Sequence, residues 1–331
     1  MEYKGAQPPE AIAVPSVEQF KKYQEAARGH IRYITLAPEH DPGLALTRYL
    51  KQTGVVVSMG HSCATYEQAM LAIANGASSM THVYNGMTAF THRKPGLVGA
   101  AFRVRDIYGE VIADGHHSHV SALNNFYQLK GRDFAMMVTD SLRAKHCPPG
   151  GKYQLGGHDI EITAEGLAYL KGTNTIAGST LHMNRGLQIL VEKAMIPFDS
   201  ALNSCTINPA RCLGVDDRKG RIAVGCDADL VVLETSLPEE SIRWLCDNCK
   251  APILADPVST IKAEKLRPVL GKLAALKPNR LEAELLSGMS IRTREDAAQA
   301  ARKLLDTGLG TVFISLGAEG IYAADRSGDT A

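Results

Sequence analysis

Histidine and aspartate residues follow several short apolar runs of this sequence. They are His61 after VVVSMG, His82 after SSMT, Asp114, His116 and His117 after EVIA, and Asp140 after FAMMVT. His61 and His82 are 21 residues apart, about the length of one strand and helix. Neutral imidazole nitrogens are suitable ligands for a divalent transition metal. The pair therefore predicts a metal site, with Zn²⁺ as the expected ion.

Asp140 is the residue of this set that could move a proton. A divalent metal makes a water molecule acidic enough to attack a carbonyl, and a nearby carboxylate can take the proton and return it to a leaving amine. Because Asp140 also follows an apolar run, we expect it to reach the same site as the general acid/base. The alternative is that each histidine is an ordinary polar residue packed under a loop.

A polar loop, THVYNGMTAFTHRKPGL, contains further candidates. Asn85, Gly86 and Arg93 supply an amide, a bare backbone and a guanidinium, which together can hold a polar or phosphorylated sugar. The same composition is typical of a turn-rich surface loop, and the residue types alone leave both possibilities open. The remaining histidines near these segments are expected to face solvent: His92, His119 and His146.

The elements that would position these side chains alternate in type. The predicted strands are Ile31–Leu36, Val55–Met59, Ser79–Val83, Glu110–Ala113 and Phe134–Thr139. Helical patterns lie between them, such as Gly43–Gln52 and Thr65–Asn75, the second with Thr65 as N-cap and Gln68 three residues later. This alternation is typical of a parallel α/β sheet or barrel, in which catalytic groups gather at the carboxyl ends of the strands.

The later part of the chain changes its pattern. The glycine-rich alternation of 151–170 predicts a β-hairpin, and 182–193 predicts a helix. Residues 221–234 predict two short strands around a turn, and the following TSLPEE marks a boundary. Beyond it the predicted elements are helix Glu239–Asp247, strand Ile253–Asp256, helices Thr260–Leu276, Arg280–Leu286 and Thr293–Asp306, and strands Thr311–Leu316 and Gly320–Ala323.

Composition and charge exclude several classes of protein. A length of 331 residues corresponds to about two domains, and 45% hydrophobic residues with a net charge of +1 are typical of a globular protein. The sequence has no basic patch of the kind that binds nucleic acid or an anionic membrane. No apolar run approaches the roughly 18 residues that span a bilayer. Seven dispersed cysteines and the absence of a secretory pattern predict a reduced, cytoplasmic protein.

Several strings in the first 234 residues resemble the N-acetylglucosamine-6-phosphate deacetylases of the amidohydrolase superfamily. The strings are ITLAPE, VSMGHSCAT, MTHVYNGMTAFTHRKPGLVGAA, IADGHHSH, VTDS, TNTIAGSTLHM, NPARCLG and GCDADLVVLE. The resemblance implies a (β/α) TIM-like barrel with His61 and His82 as metal ligands and Asp140 as general acid/base. It also implies the residues that contact an amino-sugar phosphate: Ala6, Asn85, Gly86, Arg93, Asp114, Gly115, His116, His117, Ile176, Ala177 and Gly178.

The same resemblance implies parts that precede Met1 in the family. There, a glutamate in an HLEGP-like motif supplies a further metal ligand just upstream of the segment that matches EYKGAQPPE. We therefore expect an incomplete barrel, one metal site without that glutamate, and strands within 221–235 that have lost their sheet partners. Family members are often dimers, so a homodimer is compatible with the resemblance.

Residues 236–331 resemble a different family. The strings PILADPVSTIKAEKL, LKPNRLEAELLSG and TVFISLGAEGIYAAD are similar to ribokinase-like sugar or nucleoside kinases such as the pseudouridine kinases. In that family an NxxE motif, here Asn279 and Glu282, helps arrange Mg²⁺ and phosphate. The same spacing fits a helix capping box, with Asn279 as N-cap and Glu282 at N3. Because the family's catalytic aspartate would come after Ala331, we expect no phosphoryl transfer with Mg²⁺ and ATP from this segment.

The sequence therefore predicts an α/β chain of two ancestries. A partial amidohydrolase barrel covers 1–220, remnant β-sandwich strands and a junction cover 221–235, and a partial ribokinase-like domain covers 236–331. The leading hypothesis is metal-dependent deacetylation of N-acetylglucosamine 6-phosphate, impaired by the truncation. The alternatives are a non-catalytic fusion or remnant, and a sugar-phosphate binding protein without turnover.

Overall fold

The apolar runs of the first part of the chain form one parallel sheet in the computed structural model, which describes residues 2–145, 147 and 150–330. Its strands are β1 (Tyr33–Leu36), β2 (Val56–Met59), β3 (Ala77–Met80), β4 (Tyr108–Ile112) and β5 (Ala135–Val138), paired in that order. All five predicted strands are confirmed, with small differences at their ends. Since every pair is parallel, all five carboxyl ends lie at the same edge of the sheet.

Helices accompany this sheet. They are α1 (Val17–Ala26), α2 (Ala45–Gln52), α3 (Tyr66–Ala74), α4 (Gly96–Arg103), α5 (Val120–Phe134), α6 (Met183–Glu192), α7 (Phe198–Cys205) and α8 (Ile207–Cys212). Helix α3 begins with the predicted capping box, in which Thr65 and Gln68 each accept the other's backbone N–H. Strand residues such as Val57, Met80 and Val111 are fully buried between sheet and helices. No helix in the described residues is long and apolar enough to cross a bilayer.

The predicted hairpin is confirmed and gains a third strand. It consists of β6 (Tyr153–Leu155), β7 (His158–Ile162) and β8 (Ala168–Leu170), all antiparallel. Gly156 and Gly157 connect the first two strands with φ angles of 55° and 83°, which favour glycine and fit a two-residue hairpin turn. Ile160 and Ala168 form a small separate core with Ala177. This sheet therefore has its own packing.

The chain divides into two units, Met1–Cys226 and Asp227–Ala331, and the second has its own sheet. The sheet contains β9 (Val231–Glu234), β10 (Ile253–Asp256), β11 (Ala275–Leu276), β12 (Thr311–Ser315), β13 (Ile321–Asp325) and β14 (Gly328–Thr330). Its helices are α9 (Glu239–Asn248), α10 (Thr260–Ala263), α11 (Arg280–Ser287) and α12 (Arg294–Leu305). The first four strands are parallel and the last two antiparallel. An α/β segment is what the sequence predicts here.

The long helix predicted over Thr260–Leu276 is wrong. Helix α10 ends at Ala263, 3₁₀ turns continue over Glu264–Lys272, and the last two residues of the range are strand β11. Pro268 has no N–H to donate and its ring would clash in an α-helix, so the tighter turns replace it. The apolar end of the segment instead enters the sheet, where Leu276 is fully buried.

The fate of the strands expected in 221–234 also differs from the prediction. No strand forms among the described residues 221–230, whereas β9 pairs in parallel with β10 along its whole length. The buried side chain of Leu233 packs into the core of the second unit. The end of this segment has therefore not lost its partners, because it is an edge strand of the second sheet.

Candidate active site

The carboxyl edge of the first sheet borders a cavity of about 830 Å³, a volume in the range of small-molecule sites. His61 lies just beyond β2, His82 just beyond β3 and Asp140 just beyond β5, and all three line the cavity. The structure thus brings together the three side chains that the sequence placed at strand ends.

The two imidazoles face each other through their Nε2 atoms, which are 3.1 Å apart. His61 Nδ1 donates to the Tyr3 carbonyl at 2.8 Å, and His82 Nδ1 donates to the Asn85 carbonyl at 3.2 Å. These hydrogen bonds place the proton of each neutral ring on Nδ1 and leave both Nε2 lone pairs pointing at one another. The hydrogen bonds on the two Nδ1 atoms hold this arrangement, which offers a cation two nitrogen donors at one point.

A divalent metal fits this pair of donors. Zinc–nitrogen bonds are about 2.0–2.1 Å long, so nitrogens 3.1 Å apart could share one ion at an angle of roughly 100°. Each ligand is oriented by a carbonyl on its other nitrogen, as is usual for metal-binding histidines. Within the described residues, no group of three or more His, Cys, Asp or Glu side chains could hold a metal. The chain therefore offers two nitrogen ligands at this point.

Backbone strain marks the same three residues. His61, His82 and Asp140 have φ angles of 48°, 29° and 49°, in a region that non-glycine residues rarely adopt. Such conformations cluster at functional sites and persist only where surrounding contacts impose them. Gly86 is one such neighbour of His61: its φ is 59°, and a Cβ there would lie 3.0 Å from His61 Nδ1. The ring of His61 fits because residue 86 has no side chain.

Charge and burial keep His82 neutral. Burial is the main cause that lowers its pKa, the proximity of His61 lowers it further, and the negative charge of Asp140 partly opposes both. A neutral imidazole is the form that binds a metal. Asp140 itself is exposed to the cavity. Its backbone carbonyl accepts the N–H of Ser179 at 2.8 Å, which joins the end of β5 to the segment after Gly178.

His117 also lines the cavity and is held by Asp114. His117 Nδ1 donates to Asp114 Oδ2 at 2.6 Å, and the backbone N–H groups of His116 and His117 donate to Oδ1 at 2.8 Å. Burial raises the pKa of Asp114, but the hydrogen bond and charge of the His117 ring, together with the two backbone N–H hydrogen bonds, outweigh burial and lower that pKa overall. Asp114 therefore positions His117, which leaves the other ring nitrogen of His117 available.

The structure distributes the remaining predicted contact residues over several places. Ala6, Asn85, Gly86, Ile176 and Gly178 line the cavity with the residues above. Asp114, Gly115 and His116 border a neighbouring cavity, and Arg93 lies exposed in a separate groove. Ala177 is fully buried in the small core of the antiparallel sheet. His92 and His119 are exposed as predicted, and His146 lies outside the described residues.

A buried carboxyl beneath the site was missed by sequence reasoning. Glu110 Oε1 accepts the Tyr33 hydroxyl at 2.7 Å, and that hydroxyl is 2.8 Å from Ser79 Oγ. Burial raises the pKa of Glu110, while hydrogen bonds from Tyr33 and the His82 backbone N–H lower it in part. The available signal was a charged residue inside an apolar strand, which must find partners there.

A sequence profile described as the amidohydrolase family matches residues 7–270. This chain belongs to the amidohydrolase family. Amidohydrolases generally use a divalent metal, in agreement with the paired imidazoles. The profile of the pfkB family carbohydrate kinases matches residues 227–331, so the two matches overlap over residues 227–270, from β9 to the 3₁₀ turns after α10.

Curated relatives of this amidohydrolase are deacetylases of amino-sugar phosphates. It is 42% identical over 242 residues to the N-acetylglucosamine-6-phosphate deacetylase of Bacillus subtilis, covering 73% of this chain and 60% of the relative. It is 34% identical to the N-acetylgalactosamine-6-phosphate deacetylase of Escherichia coli O157:H7, covering 73% and 63%. The chain thus spans about three fifths of the length of the relatives it matches.

Solved structures of amino-sugar-phosphate deacetylases resemble the first part of this chain in fold. A mutant N-acetyl-D-glucosamine-6-phosphate deacetylase from Mycobacterium smegmatis, in complex with N-acetyl-D-glucosamine-6-phosphate, matches with a TM-score of 0.65 and 33% identity. The match covers 69% of this chain and 60% of that structure. The parallel sheet is therefore part of an amidohydrolase barrel.

The NxxE pair of the kinase-like unit forms the capping box. Asn279 Oδ1 accepts the backbone N–H of Glu282 at 3.0 Å, and Glu282 Oε2 accepts that of Asn279 at 2.8 Å. Glu282 is buried, and its Oε1 has no hydrogen-bond partner within the described residues. The pair therefore starts α11, and a role in arranging Mg²⁺ and phosphate stays a prediction.

Proposed function

We propose that this amidohydrolase hydrolyses N-acetylglucosamine 6-phosphate to glucosamine 6-phosphate and acetate. The observation that carries the proposal is the pair of Nε2 atoms 3.1 Å apart in one cavity with Asp140. The substrate class is supported by the names of the relatives, which are deacetylases of amino-sugar phosphates.

His61 and His82 would hold the ion, which we propose is Zn²⁺ because it accepts imidazole nitrogens and an incomplete set of protein ligands. When bound, it would polarise the amide carbonyl and make water a better nucleophile at neutral pH. The Nδ1 hydrogen bonds of both rings keep their Nε2 lone pairs directed at this point. The two imidazoles thus present both lone pairs to the same ion.

The other residues of the cavity would bind substrate and move the proton. The Asp140 carboxylate accepts a proton from the attacking water and returns it to the sugar nitrogen as the amide C–N bond breaks. His117, fixed by Asp114, turns its other ring nitrogen toward the substrate in the cavity. Asn85 and Gly86 contact the sugar phosphate, and Ala6, Ile176 and Gly178 complete the wall.

Asp140→Asn tests the proposal, since the amide keeps the shape of the side chain but cannot take the proton. Acetate release should fall by about 10²- to 10⁴-fold, the usual contribution of a general acid/base. Zinc content, measured by atomic absorption, should stay at the parent value. Asp199→Asn, on the exposed start of α7, is the control and should release acetate at the parent rate. Unchanged turnover in Asp140→Asn would contradict the proposal.

A second candidate is binding of the sugar phosphate without turnover. It is favoured by the two-ligand site, because no larger metal-binding group is present in the described part of the chain. Metal content separates the two functions. Stoichiometric zinc with acetate release supports the deacetylase. Metal-free protein that binds N-acetylglucosamine 6-phosphate in calorimetry supports the binder.

A further inference from the structure

A buried carboxylate lies next to the turn that carries His61. Glu39 follows β1 in the short 3₁₀ turn Pro38–His40, and its side chain is 11% exposed. Glu39 Oε2 accepts the hydroxyl of Ser62 at 2.7 Å, and Oε1 accepts the backbone N–H of Cys63 at 2.6 Å. Both oxygens of the Glu39 carboxylate thus accept hydrogen bonds from the two residues that follow His61.

These bonds act on a backbone that would otherwise relax. The φ of His61 is 48°, which a histidine keeps only where its surroundings impose it. Ser62 is restrained from a second side, because its backbone N–H donates to the Gly86 carbonyl at 3.1 Å. Its Oγ also accepts the N–H of Ala64 at 3.0 Å. The carboxylate and the Gly86 carbonyl together fix the exit of the turn.

The bonds to Glu39 are of the strong kind. A carboxylate that accepts from a hydroxyl and an amide forms charge-assisted hydrogen bonds, which are shorter and stronger than neutral ones. The distances of 2.7 and 2.6 Å agree with this. Replacement of the carboxylate leaves the Cys63 N–H and the Ser62 hydroxyl without their acceptor in a buried place. The turn can then recover a favourable φ only by rotating the peptide that carries His61.

We propose that Glu39 is a positioning residue for His61. It holds the strained turn so that His61 Nε2 stays opposite His82 Nε2, and so sets the spacing of the metal ligands. The inference rests on the proposed function only in taking the two imidazoles as those ligands. Glu39 acts through the backbone and does not line the cavity.

Asp41 supplies a matched control, because it is a buried carboxylate in the same connection. It accepts the backbone N–H groups of Leu46 and Thr47 at 3.0 and 2.8 Å, and the Thr47 hydroxyl at 2.7 Å. It therefore starts α2, a helix without any site residue. Loss of Asp41 should lower stability in the way that any buried carboxylate does, without moving His61.

The first measurement uses the metal-free chain. Protein with ¹³C-labelled histidine gives ring-to-ring NOEs that report whether His61 and His82 are in contact, as their ring centroids 4.8 Å apart predict. We expect the contact to be weakened in Glu39→Gln, lost in Glu39→Ala and retained in Asp41→Asn. A contact of parent strength in both Glu39 variants would overturn the proposal. So would its equal loss in Asp41→Asn.

The second measurement is zinc affinity by competition with a chromogenic chelator. Removing a residue that orients a metal ligand costs roughly 10- to 100-fold in affinity, so Glu39→Ala should show this loss, Glu39→Gln a smaller one and Asp41→Asn none. At saturating zinc, Glu39→Gln should regain most of the parent kcat with an unchanged KM.

The two measurements distinguish failure of this inference from failure of the proposed function. If the parent chain binds no zinc and the ring contact is lost in the Glu39 variants, the metal site is refuted and the positioning role is supported. A parent chain that binds zinc, with Glu39→Ala affinity unchanged, would refute the positioning role and leave the metal site intact.

Discussion

The two larger sheets of this chain present polar residues beyond the carboxyl ends of their parallel strands in different ways. In the first unit, His61, His82 and Asp140 have positive φ angles and line one cavity. In the second unit, Asn279 and Glu282 accept each other's backbone N–H groups and start a helix. The difference teaches that a polar residue beyond a strand is not in itself a site. It becomes a candidate where the backbone is held in an unfavourable conformation and local spacing offers no capping partner.

A buried and a half-buried lysine extend this comparison, and the buried one gives the largest expected effect on stability. Lys130 is buried in the first unit, and its Nζ donates to three carbonyls just after and at the end of α4: Ala101, Val104 and Arg105. Lys265 in the second unit donates to two carbonyls while half-buried. Lys130→Met should lower the unfolding free energy by about 2–4 kcal/mol, because buried acceptors lose a charged donor.

Lys265→Met should cost less than about 1 kcal/mol, since water can replace the lost donor. Urea unfolding, followed by hydrogen exchange of peptides from each unit, measures both values. Equal losses of unfolding free energy in the two variants would show that the greater burial of Lys130 does not make its hydrogen bonds more important for stability than those of Lys265.

The pH dependence of Lys130 gives an independent check. Burial lowers its pKa to about 8, so the folded state releases this proton near pH 8, whereas the unfolded chain keeps it to about pH 10.5. Between these values the unfolded state binds more protons, and the contribution of Lys130 makes the unfolding free energy rise with pH, by at most about 1.4 kcal/mol per pH unit. The stability difference between parent and Lys130→Met should therefore grow from pH 8 to pH 10. A constant difference would contradict the lowered pKa.

The first sheet was predictable because its information is local. Each strand is an apolar run of about the right length, and a parallel pattern sends every strand end to one edge. His61, His82 and Asp140 could be placed together on that basis alone. Their positive φ angles could not be predicted, because the contacts that impose them come from segments far away in sequence, such as Glu39 and Gly86.

The prediction for residues 221–234 failed because pairing with distant strands, and not the local sequence pattern, decides which sheet a short apolar segment joins. Residues 231–234 are a good strand in either unit, and only the pairing of Leu233 and its neighbours with β10 assigns them to the second sheet. The ligand contact of Asp114 stays a prediction, but the turn after β4 brings its carboxylate to the His117 ring, a role that its spacing did not indicate. Spacing alone does not distinguish a residue that binds a ligand from one that holds its neighbour.

Gly86→Ala tests whether close packing around His61 matters as much as backbone strain. The new Cβ would lie 3.0 Å from His61 Nδ1 and 3.2 Å from Cε1, so the ring must shift. We expect about a 10-fold loss of zinc affinity, the lower end of the effect of misplacing a metal ligand. Chelator competition measures it.

Gly115→Ala is the matched control for this variant. Its φ is 78°, so alanine is strained there as well, but nothing lies within 4 Å of the added Cβ. It should lose about 1 kcal/mol of stability from the strained conformation and keep the parent zinc affinity. An equal loss of affinity in both variants would mean that strain, and not contact with the ring, is responsible.

Asn279→Ala tests the other side of the comparison. If Asn279 serves as a cap, its loss should lower the unfolding free energy of the second unit by about 0.5–2 kcal/mol. Thr293→Ala removes the cap of α12, which has the same box with Asp296, and should cost a similar amount. Glu282→Gln should cost less, because glutamine also completes a capping box. A loss at Asn279 well above that at Thr293, in urea unfolding of the full chain, would mean that Asn279 has partners beyond the helix start, and the contrast between the two sheet edges would no longer hold.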